Sequence, residues 1–227
     1  MAVKNKIFRS AEECIQLLKD PNSKLIGAYY DHYDRFLKTH LPNAIFFNTN
    51  EIETEENNWN IISKDQCRQA FATKGISIND KVVIYSDNVN AALRVAFVAL
   101  WLGMKHVTVL DGGIQKWIQL GYPLGSGDHQ VNQSVGSFEV ESEIFNDFII
   151  SDSDDLLIEE QKNPNLVLAC CRSWEEFTGS VSGYDYINEL GEPLGAVYAK
   201  ASKTKSDTAY LLNNDLTVKS FDKIFSA

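Results

Sequence analysis

Two neighbouring stretches decide the fold: Lys81-Val82-Val83-Ile84-Tyr85-Ser86-Asp87-Asn88-Val89-Asn90 and His106-Val107-Thr108-Val109-Leu110-Asp111-Gly112-Gly113-Ile114-Gln115-Lys116-Trp117. The run from Lys81 to Tyr85 is β-branched and almost wholly apolar, as in strands buried on both faces of a parallel sheet, and it is expected at the centre. The polar loop of Ser86, Asp87, Asn88, Val89 and Asn90 leads into a predicted helix over 91–102, closed by Gly103. A second strand over 106–110 follows, then the turn Asp111-Gly112-Gly113 and a helix over 114–120 that stops at Gly121.

Upstream, Ser10 and Glu13 have the spacing of a capping box for a helix reaching Lys19. Strands are predicted over 24–29 and 44–48, and Ser63 with Gln66 opens a helix that runs to Lys74 and ends at Gly75. Downstream, residues 125–136 are rich in Gly, Ser, Gln and Asn and read as a linker. The rhythm then restarts, with a strand near Phe148, a helix opened by Ser151, a strand over 166–171 and a short helix capped by Ser173 with Glu176. A glycine-rich loop over 179–191, a short strand around 196–198 and an incipient helix near Phe221 follow. The expected organisation is α/β: one complete module at 1–124, the linker, and the opening part of a second module at 137–227.

With 44% hydrophobic residues, the chain of 227 residues has enough apolar material for one large core or two smaller ones. Its net charge of -10 repels phosphate backbones and anionic lipid, which argues against nucleic-acid or membrane partners. The longest apolar run, 95–104, falls well short of the about 20 residues that span a bilayer, and the first nine residues carry no apolar signal core. A cytoplasmic protein is the expectation. Cys14, Cys67, Cys170 and Cys171 lack metal-type spacing or paired histidines, which points to reduced thiols with no metal and no cofactor.

The order Val-Val-Ile-Tyr, loop, helix, then Leu-Asp-Gly-Gly-Ile-Gln-Lys-Trp and Gly-Tyr-Pro-Leu over 82–124 resembles the rhodanese family of thiosulfate and mercaptopyruvate sulfurtransferases. His40-Leu41-Pro42-Asn43-Ala44 is similar to the family's His-Ile-Pro-Gly-Ala signature. Arg172-Ser173-Trp174-Glu175-Glu176-Phe177 with Gly179, and then Gly183-Tyr184-Asp185-Tyr186-Ile187, resembles the start of a C-terminal rhodanese module. The resemblance implies an open parallel sheet flanked by helices in a tandem arrangement. It also implies a small sulfur-containing anion or thiol as substrate, and a persulfide-forming cysteine on the loop after the last module's central strand.

Sulfane-sulfur transfer needs a nucleophile that holds sulfur as a persulfide anion, which a thiolate does and a hydroxyl does not. The family's loop surrounds that sulfur with backbone N–H groups at a helix start. In the first module the matching position is Ser86, and Asp87 adds negative charge where an anion would have to form. The family's Asp-x-Arg after the second strand is replaced by Gly27-Ala28-Tyr29. This module is therefore expected to be a scaffold. In the second module the matching loop would lie beyond Ala227, so the catalytic cysteine loop is expected to be absent and a partner or swapped chain to complete the module.

Cys171-Arg172-Ser173 superficially matches the opening of a single-domain rhodanese loop and makes Cys171 the candidate nucleophile. Against it, Glu175 and Glu176 put two carboxylates in the next helical turn, and Cys170 and Cys171 also suit the end of a strand, one on each face. Arg172 either orients an anionic substrate or pairs with an acidic residue across the module interface. Cys14 and Cys67 fit the apolar faces of their helices, and His40 fits a loop-fixing role. Two functions stay open: a sulfurtransferase whose catalytic loop is missing from this chain, and a non-catalytic rhodanese-like binding module that docks a protein partner through the Ser86 loop.

Overall fold

Five parallel strands build the first sheet around the apolar run of Lys81–Tyr85, in a computed structural model that describes residues 7–128, 135–138, 153–185, 187–199, 212–215 and 217–219. The elements in chain order are β1 (Phe8–Arg9), α1 (Ala11–Leu17), β2 (Ser23–Tyr29), α2 (Tyr33–Lys38), β3 (Ile45–Asn48), α3 (Lys64–Thr73), β4 (Lys81–Tyr85), α4 (Val89–Trp101), β5 (His106–Leu110) and α5 (Gly113–Gln119). The sheet order is β1-β5-β4-β2-β3, so β4 occupies the centre as its composition required.

Both sheet faces are covered. On one, Cys67 and Phe71 of α3 and Val95, Ala99 and Leu102 from α4 and its end pack on Ile26, Ala28, Val82 and Ile84. On the other, Cys14 of α1, Phe36 of α2 and Ile114 and Trp117 of α5 pack on Leu25, Tyr29, Val83 and Tyr85. The alternation follows the strand period of two, which sends neighbouring residues of β4 to opposite cores.

The capping boxes at Ser10 and Ser63 form as their spacing predicts. The helix after the polar loop begins earlier than its sequence suggests: α4 starts at Val89, because the Asn88 side chain accepts the Asn90 N–H and serves as N-cap. Val89 and Asn90 therefore belong to the first helical turn and not to the loop.

The chain divides into two compact units, Met1–Ser151 and Asp152–Ala227, so the expected linker at 125–136 lies inside the first unit. Gly125 exchanges backbone hydrogen bonds with His40, Gly127 donates to the Leu37 carbonyl and Gly136 to the Ala72 carbonyl. Phe138 then packs against Phe71. Low apolar content marked this stretch as a spacer, but backbone bonding ties its described residues to the module.

In the second unit the described elements are α6 (Ser153–Lys162), β6 (Ala169–Cys170), α7 (Trp174–Phe177) and β7 (Val197–Tyr198). β6 and β7 pair in parallel, and β6 covers only two of the residues expected over 166–171. Ser173 and Glu176 form the expected capping box. The strand near Phe148 and the helix near Phe221 fall outside the described residues.

Candidate functional site

In an open parallel sheet, ligands bind outside the carboxyl ends of strands where the chain turns to opposite sides. Here that point lies between β2 and β4, since β2 continues outward to β3 and β4 continues to β5 on the other side. Ser86, Asp87 and Asn88 connect β4 to α4 at this place.

The loop satisfies itself. The Ser86 hydroxyl, only 3% exposed as a residue, accepts the Asn88 N–H at 2.9 Å. The Asn88 Oδ1 accepts the Asn90 N–H at 3.0 Å, and the Asn88 carbonyl accepts the Ala91 N–H at 3.0 Å. Two N–H groups that could have faced a bound anion are thus taken by side chains of the loop itself. The loop backbone is held from below as well: the Ser86 carbonyl accepts the Ile114 N–H at 3.1 Å, and Gln115 Nε2 donates to the Asp87 carbonyl at 3.1 Å. Asp87 holds Arg35 of α2 at 3.0 Å, a bond that crosses between the segments following β2 and β4.

Beneath the loop, Tyr85 ends β4 with its ring buried and its hydroxyl accepting the Leu41 N–H at 3.1 Å. Burial raises the Tyr85 phenol far above its ordinary value, with Tyr29 and Asp87 adding to the rise. Burial also pushes Tyr29 up to about 12. Neither phenol is an acid or base near neutral pH. His40 is fully buried, with Nδ1 at 2.9 Å from the Leu41 carbonyl, Nε2 at 3.3 Å from the Gly127 carbonyl and its ring stacked on Phe36. It fixes the turn before β3.

The thiols are placed as follows. Cys14 and Cys67 are buried in the two cores, and burial pushes each up to about 12. Cys170 lies buried at the end of β6; burial and the Glu192 carboxylate raise its thiol, outweighing the Arg172 backbone and guanidinium. Cys171 is exposed, and the bond given for its sulfur is a long contact to the Ala169 carbonyl at 3.9 Å. Among the described residues no main-chain N–H group donates to it.

Arg172 donates to the Gly191 carbonyl at 2.7 Å and pairs with Glu192. Its acidic partner Glu192 lies in the same unit. A guanidinium held in this way has part of its donor edge committed before any ligand arrives. Arg35, Gln115 and Glu192 carry no motif that marks them, because their contacts join segments distant in sequence. Among the described residues no group of acidic, histidine and cysteine side chains is arranged to hold a metal ion, and no helix is long and apolar enough to cross a membrane.

A five-stranded parallel sheet, helices on both faces and a loop at the end of the central strand define the class of this module: residues 10–120 match the rhodanese-like domain family model, and the chain carries a rhodanese-like domain. Among particular proteins, it is 33% identical over 207 residues to thiosulfate sulfurtransferase YnjE of Escherichia coli (strain K12), covering 88% of this chain and 46% of that protein. It is 29% identical over 164 residues to thiosulfate/3-mercaptopyruvate sulfurtransferase 2 of Arabidopsis thaliana, covering 67% of this chain and 47% of that one.

The crystal structure of YnjE superposes with a TM-score of 0.86 at 29% identity, covering 97% of this chain and 54% of that one. The wild-type structure of EanB gives 0.83 at 26% identity, covering 97% and 56%. EanB has also been solved with ergothioneine covalently linked to a persulfide. The chain thus spans about half the length of each of these three proteins.

Proposed function

We propose that this chain is a non-catalytic portion of a rhodanese-class thiosulfate or 3-mercaptopyruvate sulfurtransferase, with its first module acting as scaffold. In the reaction of this class a thiolate attacks the outer sulfur of thiosulfate, the S–S bond breaks, and sulfite leaves with the electron pair. The enzyme keeps a persulfide, whose outer sulfur is then taken by an acceptor such as cyanide. The observation that carries the reading is Ser86, whose hydroxyl stands after the central strand and already accepts the Asn88 N–H. A hydroxyl is barely ionised near neutral pH and cannot hold transferable sulfur.

The sulfurtransferase relatives support the class of chemistry, and the Ser86 loop supports the scaffold role within it. In this reading the second unit is the opening of a second rhodanese-like module, completed by a protein partner or another stretch of chain that brings the reactive thiol. In this reading the completed enzyme works in the cytoplasm on small sulfur-containing anions or thiols.

The test is thiocyanate formation from thiosulfate and cyanide by the 227-residue protein, paired with intact mass after exposure to thiosulfate. The expected result is no thiocyanate above the buffer rate and no gain of one sulfur atom. A rate abolished by Cys171→Ser would overturn the scaffold reading.

A further inference from the structure

Helix α4 has two polar residues, Asn90 and Arg94, among its 13. A helix that is apolar around its circumference belongs in a buried setting. Its inner side buries Ala92, Val95 and Ala99 in the core. On its outer side Leu93 stays 37% exposed, and Phe97 and Leu100 are only half-buried. Leu93, Ala96, Phe97 and Leu100, together with Ile7, form the apolar wall of a cleft of about 560 Å³ that Tyr30, Asn90 and Arg94 complete.

The cleft is graded along the helix. Asn90 and Arg94 stand in the first half of α4, and Tyr30 follows β2; Ala96, Phe97 and Leu100 stand in the second half. Among the described residues lining the cleft, Arg94 alone is charged, and its Nε donates to the buried Glu53 carboxylate at 2.7 Å. That cation is therefore balanced within the protein. A carboxylate engaged at Nε reaches one side of the planar guanidinium and leaves N–H groups on the far side to donate elsewhere. The Tyr30 hydroxyl and the Asn90 amide add further donors.

We infer that this cleft binds a small amphipathic molecule with an uncharged carbonyl head, of the aliphatic amide type, and an apolar tail. The head accepts from Arg94, Tyr30 and Asn90, and the tail lies along Leu93, Phe97 and Leu100. A carboxylate head is disfavoured, because Glu53 already takes the Arg94 charge and the chain carries a net charge of -10. Asn90 to Leu100 spans about 15 Å along the helix axis, which suits a chain of about eight carbons and its head. The volume falls within the roughly 300–1,000 Å³ of small-ligand sites, and an acidic chain repels a second copy of itself. Ser86, Asp87 and Asn88 do not line the cleft, so the inference does not depend on the sulfur-transfer reading.

The experiment titrates the 227-residue protein with octanamide, sodium octanoate or octylammonium chloride, read by amide chemical shifts. The expected result is saturable shifts at Tyr30 and along residues 90–100 with octanamide, weaker binding of octanoate and none of octylammonium. Leu93→Gln should weaken octanamide binding about three- to tenfold through lost apolar contact. Tyr30→Phe should weaken it about two- to tenfold through the lost hydroxyl, and Ser86→Ala should leave it unchanged. Octanoate binding as tightly as octanamide, shifts that do not saturate or lie elsewhere, or unchanged affinity in both cleft variants would each overturn the assignment. Shifts at these residues that grow with protein concentration alone would give the cleft to a second copy and overturn it too. If Leu93→Gln does not fold, Tyr30→Phe and the shift map of the native protein still decide the question.

Discussion

Arg35 and Asp87, 52 residues apart in sequence, meet at 3.0 Å across the carboxyl end of the first sheet. The pair fixes a carboxylate next to the position where an active rhodanese loop needs an anionic sulfur. In the proposed scaffold reading, the Ser86 loop differs from a sulfur-carrying loop in its electrostatics as well as in its nucleophile, and restoring one atom type should not restore function.

Ser86→Cys is expected to install a thiol without installing sulfur transfer. The site is almost fully buried, and the Asp87 carboxylate lies 3.5 Å from the Ser86 hydroxyl, so burial and charge both oppose a thiolate. The variant should form no more thiocyanate from thiosulfate than the parent, and the new thiol should react with a maleimide more slowly than Cys171. Thiocyanate formation would show that the loop lacked only its sulfur.

Maleimide labelling of the native protein should rank the thiols by exposure. Cys171 should react first, and Cys170 more slowly because burial and Glu192 disfavour its thiolate. Cys14 and Cys67, each pushed up to about 12, should react only after unfolding. Peptide mass spectrometry reads the order, and early labelling of Cys14 would contradict the packing of α1 on the sheet.

Gly113→Ala should be more damaging than Gly121→Ala. Both glycines have positive φ, +57 and +71, so each alanine costs about 1–2 kcal/mol in backbone strain. At Gly121 the added methyl meets open space, whereas at Gly113 it lies 2.4 Å from the Ser86 carbonyl oxygen. That clash and the neighbouring Ile114 bond bring the expected loss to about 2–5 kcal/mol. Urea midpoints measure both, and equal losses would mean the α5 entry yields easily.

Arg94→Met should destabilise the protein in a pH-dependent way. Arg94 Nε donates to Glu53 at 2.7 Å, and Glu53 is buried. Burial raises the Glu53 carboxyl above its ordinary 4.5, with Arg94 opposing the rise. The folded state therefore binds this proton more tightly than the unfolded state, and stability falls as pH rises through the interval above 4.5. Removing the cation widens that interval and should cost about 1–3 kcal/mol near pH 7, with a smaller loss near pH 4. Equal losses at both pH values would assign Arg94 a packing role alone.

Much of the fold was legible because its signals are local. The capping boxes at Ser10, Ser63 and Ser173 join residues three apart, and the apolar run from Lys81 to Tyr85 needs a central strand whatever surrounds it. The early start of α4 was missed because a polar Asn88 read as loop when it serves as cap. The composition of residues 125–136 reads as a spacer, and the backbone bonds of Gly125, Gly127 and Gly136 to the module leave no trace in composition.

By itself the sequence determined that the first module has no thiol after its central strand, since the identity of Ser86 decides what can ionise there. Only the tertiary structure decided what holds that loop, which acid Arg172 meets, and that Ile7, Tyr30 and Arg94 share one cleft. Side-chain chemistry belongs to each residue alone. Its charge environment and donor partners come from segments that only folding brings within a few ångströms of one another.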